Sequence, residues 1–219
     1  MTTRPSDAPW ADGPFALIPT PSQRLKDNHS YVHVASEMSH VHNTLIRGLN
    51  AILQQAPHVP DASTPATYNP KDVTDLLFYV RCWCEMVNHH HGVEEAFIFP
   101  EFEKFAGQPG LMEDPRHQHS LFHDGMERLL AYAKATKPDE YRWISQGGNG
   151  MKDIIDSFSK ALTDHLYAEI EVLLGLGHLD SAGLRETWDK AEKIAQANGN
   201  LGLLVSLAIA LLCDHERSC

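Results

Sequence analysis

The stretch HHHGVEEAFIFP, residues 89–100, decides the fold. Ahead of it, Leu76, Val80, Trp83 and Val87 follow one another at steps of four and three, and the rhythm runs on through His90, Glu94 and Phe97. Steps of this kind keep side chains on one face of an α-helix. A histidine and a glutamate therefore stand where core residues belong. A carboxylate buried there without a partner is strongly destabilising, so a cation is its natural companion.

Three further stretches carry the same signature. In residues 151–174, Ile155, Phe158, Leu162, His165, Glu169 and Val172 repeat the rhythm. In residues 116–135, His119, Phe122, His123, Met126 and Leu130 form the inward face, and in residues 27–55 His42 shares its face with Met38, Leu45, Leu49 and Ile52. Asp27 or Asn28 would cap the first of these helices. The second is expected over residues 72–105, interrupted near Pro100, and Ser181 would cap a fifth helix ending at Asn198 and Gly199. Proline- and glycine-rich connectors separate them. With no internal repeat and no strand pattern, the fold class is all-α with four main helices.

Spacing alone does not select the ligands, because the chain holds 14 histidines. HxxxH occurs at His29/His33 and His119/His123, and HxxxE begins at His33, His90, His91, His123 and His165. The inward stripe is the stronger filter. His33 lies on roughly the opposite side of its helix from His42, and His40 shares a polar face with Thr44 and Arg47. His89, His91 and Glu95 flank the buried stripe, as second-layer or surface groups. A single buried histidine is more often a hydrogen-bonded core residue than a ligand; five histidines and two carboxylates on inward faces of four helices reverse that preference.

Composition sets the outer bounds. The 219 residues, 42% of them hydrophobic, suit one domain with flanking segments: an extended N-terminal arm over residues 1–28 and a helical body over 29–219. A net charge of −11 without a basic run speaks against nucleic-acid or anionic-membrane partners. Cys82, Cys84, Cys213 and Cys219 form no CxxC zinc frame, and the N-terminus has no apolar signal core, so a reduced, cytoplasmic protein is expected. The apolar run Leu201 to Cys213 is too short to span a bilayer and would pack as a terminal core helix.

Four segments, the second histidine of MSHVHNTL, then HHHGVEEAFIFP, HSLFH and HLYAE, resemble the hemerythrin-like (HHE cation-binding) family over residues 30–175. The Phe99-Pro100 ending is the most specific piece, and the architecture looks close to fungal single-domain members. The resemblance implies an up-down four-helix bundle, here with extra C-terminal helices and the N-terminal arm. It also implies a non-heme diiron centre. His119, His123 and His165 would hold one iron, His42 and His90 the other, and Glu94 and Glu169 would bridge them. Two octahedral irons offer about twelve positions; these ligands and an oxo or hydroxo bridge leave one open on the two-histidine iron. The carboxylate-rich ferritin-like alternative uses Glu-x-x-His pairs, whereas here histidine precedes glutamate by four.

Oxygen-carrying hemerythrins have a longer His-to-Asp spacing than His165 to Glu169, which weakens inheritance of the carrier role. Two functions are therefore carried forward. The first is an oxygen-dependent oxidoreductase acting on a small organic substrate, with Trp83, Phe122, Leu166 and Tyr167 as candidates to line its pocket, although residues of these types more often serve core packing. The second is a protein that reversibly binds, stores or senses dioxygen, another small diatomic ligand such as nitric oxide, or iron. The same donors would accept manganese or zinc.

Overall fold

The computed structural model describes residues 11–198. The helices are α1 (Pro21–Arg24), α2 (Ser30–Gln55), α3 (Pro70–Val93), α4 (Phe99–Ala106), α5 (Glu113–Ala135), α6 (Met151–Asp156), α7 (Ser159–Leu174) and α8 (Ser181–Asn198). No strand occurs among the described residues. α2 packs on α3, α3 on α5, α5 on α7 and α7 on α2, closing a four-helix ring, while α8 lies against α2 and α4. No helix among the described residues is long and apolar enough to cross a membrane. The run Leu201 to Cys213 lies outside them.

Side chains fix the helix ends. His29, rather than Asp27 or Asn28, caps α2. Its Nδ1 accepts from the Tyr31 amide at 3.2 Å, which leaves Nε2–H to donate to the Leu179 carbonyl at 3.0 Å. Asp27 serves the same corner by accepting from the His29 amide and the Tyr31 hydroxyl. α3 opens with Asn69 as cap and Pro70 in its first turn, where no N–H is needed. At α8 the cap is Asp180, whose Oδ2 accepts from the Gly183 amide at 2.7 Å; Ser181 instead accepts from the Ser30 amide. Asparagines on α2 hold the arm. Asn43 exchanges hydrogen bonds with both backbone groups of Ile18, and Asn50 does so with Phe15.

An aromatic layer sets the bundle's register. Trp83 of α3 and Phe158, just before α7, stack with centroids 6.4 Å apart. Gly48 of α2 faces the Trp83 indole, and a Cβ on Gly125 of α5 would stand 2.5 Å from Phe158 Cβ, so both mid-helix glycines permit a close aromatic approach. The Trp83 indole N–H donates to the Leu45 carbonyl at 2.9 Å. Phe158 leaves helical geometry at φ −135°, which splits the expected fourth helix into α6 and α7.

His42 precedes Gly48, His90 follows Trp83, His119 precedes Gly125 and His165 follows Phe158, each by six or seven residues. At a rise of 1.5 Å per residue, all four histidines fall about 10 Å from the aromatic layer, two turns along the axis. The alternation of before and after is that of an up-down-up-down bundle.

A second irregularity sits between α3 and α4. Glu94–Ile98 form a π-turn in which the Phe99 amide donates to the Glu94 carbonyl. Pro100 has no N–H for the Ala96 carbonyl, and the wider turn absorbs that mismatch. The interruption expected near Pro100 thus lies just ahead of it. The extra residue also rotates the chain, so Ile98, Phe99 and Phe102 are buried afterwards while Phe97 is only half-buried.

Candidate metal centre

Six of the seven side chains expected as ligands converge in the bundle interior. His42 (α2), Glu94 (π-turn), His119 (α5), and His165 and Glu169 (α7) are buried, and the His90 side chain at the end of α3 is 12% exposed. His123 is not among them. Its side chain is 66% exposed, and its Nδ1 lies 3.5 Å from Asp124 Oδ1. His91, set aside on sequence as a flanking residue, is buried instead, its ring centroid 4.4 Å from that of His119 and 5.2 Å from that of His165.

The exchange has a geometric reason. The buried seam of α5 runs Pro115, His119, Phe122, Met126, Leu129, Ala133, alternating steps of four and three. His123 lies one position off that seam, and the HxxxH spacing concealed this. On α3, the uniform pattern through Phe97 ignored the π-turn, beside which His90, His91 and Glu94 all face inward. Pro100, which cannot donate to the Ala96 carbonyl, is the sequence signal for it.

The donors fall into two groups that share Glu94: His91, Glu94, His119 and His165, with ligand atoms within 4.8 Å of one another, and His42, His90 and Glu94. Glu94 Oε1 lies 2.9 Å from His90 Nε2 and 3.9 Å from His42 Nε2, while its Oε2 lies 3.6 Å from His119 Nε2. Glu169 Oε2 lies between His42 Nε2 at 3.5 Å and His165 Nε2 at 3.6 Å. Each carboxylate thus faces both groups.

Outer hydrogen bonds aim the rings. His42 Nδ1 donates to the Leu166 carbonyl at 2.8 Å, His165 Nδ1 to Gln118 Oε1 at 3.1 Å, and His119 Nδ1 to Glu95 Oε1 at 2.7 Å. With the proton on Nδ1, each ring presents an Nε2 lone pair inward. The Nε2 atoms of His119 and His165 then face each other at 3.1 Å, lone pair to lone pair. Nε2 of His42, His90 and His91 and both oxygens of Glu94 and Glu169 are buried without a hydrogen-bond partner among the described residues. Buried polar atoms are nearly always satisfied, so this concentration of unpaired nitrogen and oxygen atoms fits metal cations.

The electrostatics agree. Burial pulls His42 down, His91 well down and His165 to about 3, below the ordinary 6.5, and keeps the imidazoles in their neutral, metal-binding form. Burial pushes Glu94 up, but the neighbouring His90 more than reverses it and holds its carboxyl well below 4.5. Glu169 is pushed well above 4.5 by burial and by the Glu94 charge. Without a cation only one of the two carboxylates ionises easily.

The proposed pocket-lining residues are mostly core. Trp83, Phe122 and Leu166 are buried, and the Tyr167 hydroxyl donates to the Ala16 carbonyl.

Fold and site together define a helical-bundle protein with an interior suited to metal ions. The family model for the hemerythrin HHE cation-binding domain matches residues 33–176, and the chain belongs to that family. It is similar to the dimeric xanthone biosynthesis cluster protein R11 of Cryptosporiopsis sp. (strain 8999), at 32% identity over 206 residues, or 93% of this chain and 74% of that protein. No solved structure matches the chain.

Proposed function

We propose that the cluster holds two non-heme iron ions and that the protein uses dioxygen to oxidise a small organic molecule. His91, His119 and His165 would hold one iron, His42 and His90 the other, with Glu94 and Glu169 shared. The observation that carries this reading is the set of buried, inward-facing donor atoms without hydrogen-bond partners. Bound iron supplies the redox couple through which dioxygen is reduced.

The chain's own contribution is to prepare that site. The Leu166 carbonyl, Gln118 and Glu95 keep three imidazoles in the tautomer with a free inward nitrogen. Phe99 stacks on His119 and Phe122 packs beside His91, His119 and His165, shielding the donors from water. A two-histidine position has fewer protein ligands than a three-histidine position, so it is where a small molecule would enter. His90 at its edge is the natural approach. The similarity to a protein named for dimeric xanthone biosynthesis supports an organic substrate.

A second reading is reversible binding of dioxygen, nitric oxide or iron without turnover. The depth of the centre favours it, since the His42, Glu94, His165 and Glu169 side chains are 0% exposed.

The deciding experiment combines metal analysis with optical spectra of the reduced protein before oxygen, after it and again under vacuum. Two irons oxidised irreversibly support the oxidoreductase. Two irons with a spectrum that reverts under vacuum support the reversible binder, and protein without metal sinks both.

A further inference from the structure

Three rings of the cluster are oriented through Nδ1, and their acceptors differ in kind. That of His42 is a backbone carbonyl and that of His165 a neutral amide, but that of His119 is the carboxylate of Glu95, at the shortest distance, 2.7 Å. Glu95 follows the fully buried Glu94 in the π-turn, and its side chain is 47% exposed. Adjacent residues there serve opposite sides of one ring, Glu94 facing Nε2 of His119 at 3.6 Å and Glu95 facing Nδ1. The ring is sandwiched further by Phe99, stacked at 5.8 Å and 26°.

We propose that Glu95 is a positioning residue of the centre, holding the Nδ1 proton of His119 and strengthening Nε2 as a donor to the metal at the His91, His119 and His165 position. The inference rests on the two-iron reading. A carboxylate acceptor makes an imidazole more basic than a carbonyl or amide does, and loss of such an outer partner weakens metal binding by about 10–100-fold. A more basic ligand also favours the ferric state, so the Glu95 charge lowers the reduction potential of that iron.

The test titrates ferrous iron without oxygen into the metal-free full-length protein, against a chromogenic chelator, for wild type, Glu95→Gln and Glu95→Ala. The reduction potential is then measured for each. Glu95→Ala should weaken one of two iron sites by about 10–100-fold. Glu95→Gln keeps an acceptor oxygen but no charge, so it should hold iron better than Glu95→Ala and show a raised potential. That variant is isosteric at a half-exposed position, so its potential decides the matter even where Glu95→Ala folds poorly. Wild-type affinity and potential in both variants, while the parent binds two irons, would overturn this inference alone. Failure of the parent to take up iron would overturn the two-iron reading together with it.

Discussion

His91 and His123 are the two residues on which sequence and structure part. Each begins an HxxxE pair, but only His91 has its ring among those of His119, His165 and Phe122. His91→Ala should therefore lose at least one metal ion per chain, while His123→Ala should retain both, as read by metal analysis of the purified variants. The reverse result would restore the HxxxH reading of α5. Glu94 faces both donor groups, so Glu94→Ala should lower metal content at least as far as His91→Ala. His33→Ala should leave it unchanged, because that ring pairs with Glu37 on the half-exposed side of α2.

At the scale of elements, the centre depends on how each helix is phased. Trp83 and Phe158 wedge between α2 and α5 because Gly48 and Gly125 present no side chain there. Gly125→Ala would set a methyl group against Phe158 and should destabilise the fold by about 1–3 kcal/mol, as overpacking does. Denaturant unfolding checks this, and an unchanged midpoint would show that Phe158 swings away freely. Most of the element pattern could be read from sequence: stripes at steps of three and four marked the long helices, and prolines and glycines their ends. The two irregularities could not. The π-turn and the break at Phe158 answer to packing across the bundle, and a uniform helical period contains no term for either.

For the molecule as a whole, four helices each aim ionisable groups into one dry interior, a destabilising arrangement that a bound metal would relieve. The metal-free protein should melt well below the loaded form; a ligand at 1,000 times its Kd adds about 4 kcal/mol to the folded state. Calorimetry before and after chelation and re-addition reads this directly, and coincident transitions would rule out a stabilising metal. In the metal-free protein the pH response has a defined sign. His165 falls from 6.5 unfolded to about 3 folded, so its contribution is intact above pH 6.5 and is lost as pH drops toward 3, at roughly 1.4 kcal/mol per pH unit. His42 and His91 shift the same way. Glu169, raised above 4.5, acts oppositely, losing its contribution as pH rises past 4.5. Three histidines outweigh one carboxyl, so the metal-free melting temperature should fall as the solution is acidified from pH 6.5. A flat profile would show that the imidazoles are not buried as described.

The sequence by itself determined an all-α bundle with histidine and glutamate on inward faces, because hydrophobic periodicity is local and survives without coordinates. It also brought six of the clustered side chains into view, since His42, His90, Glu94, His119, His165 and Glu169 all fall on stripes stepped by three and four. Only the tertiary structure placed His91 inside the cluster and His123 outside it, and gave Glu95 its contact with His119. A rotation of one residue about a helix axis is about 100°, and whether that turns a ring toward the centre or toward water depends on the neighbouring helices.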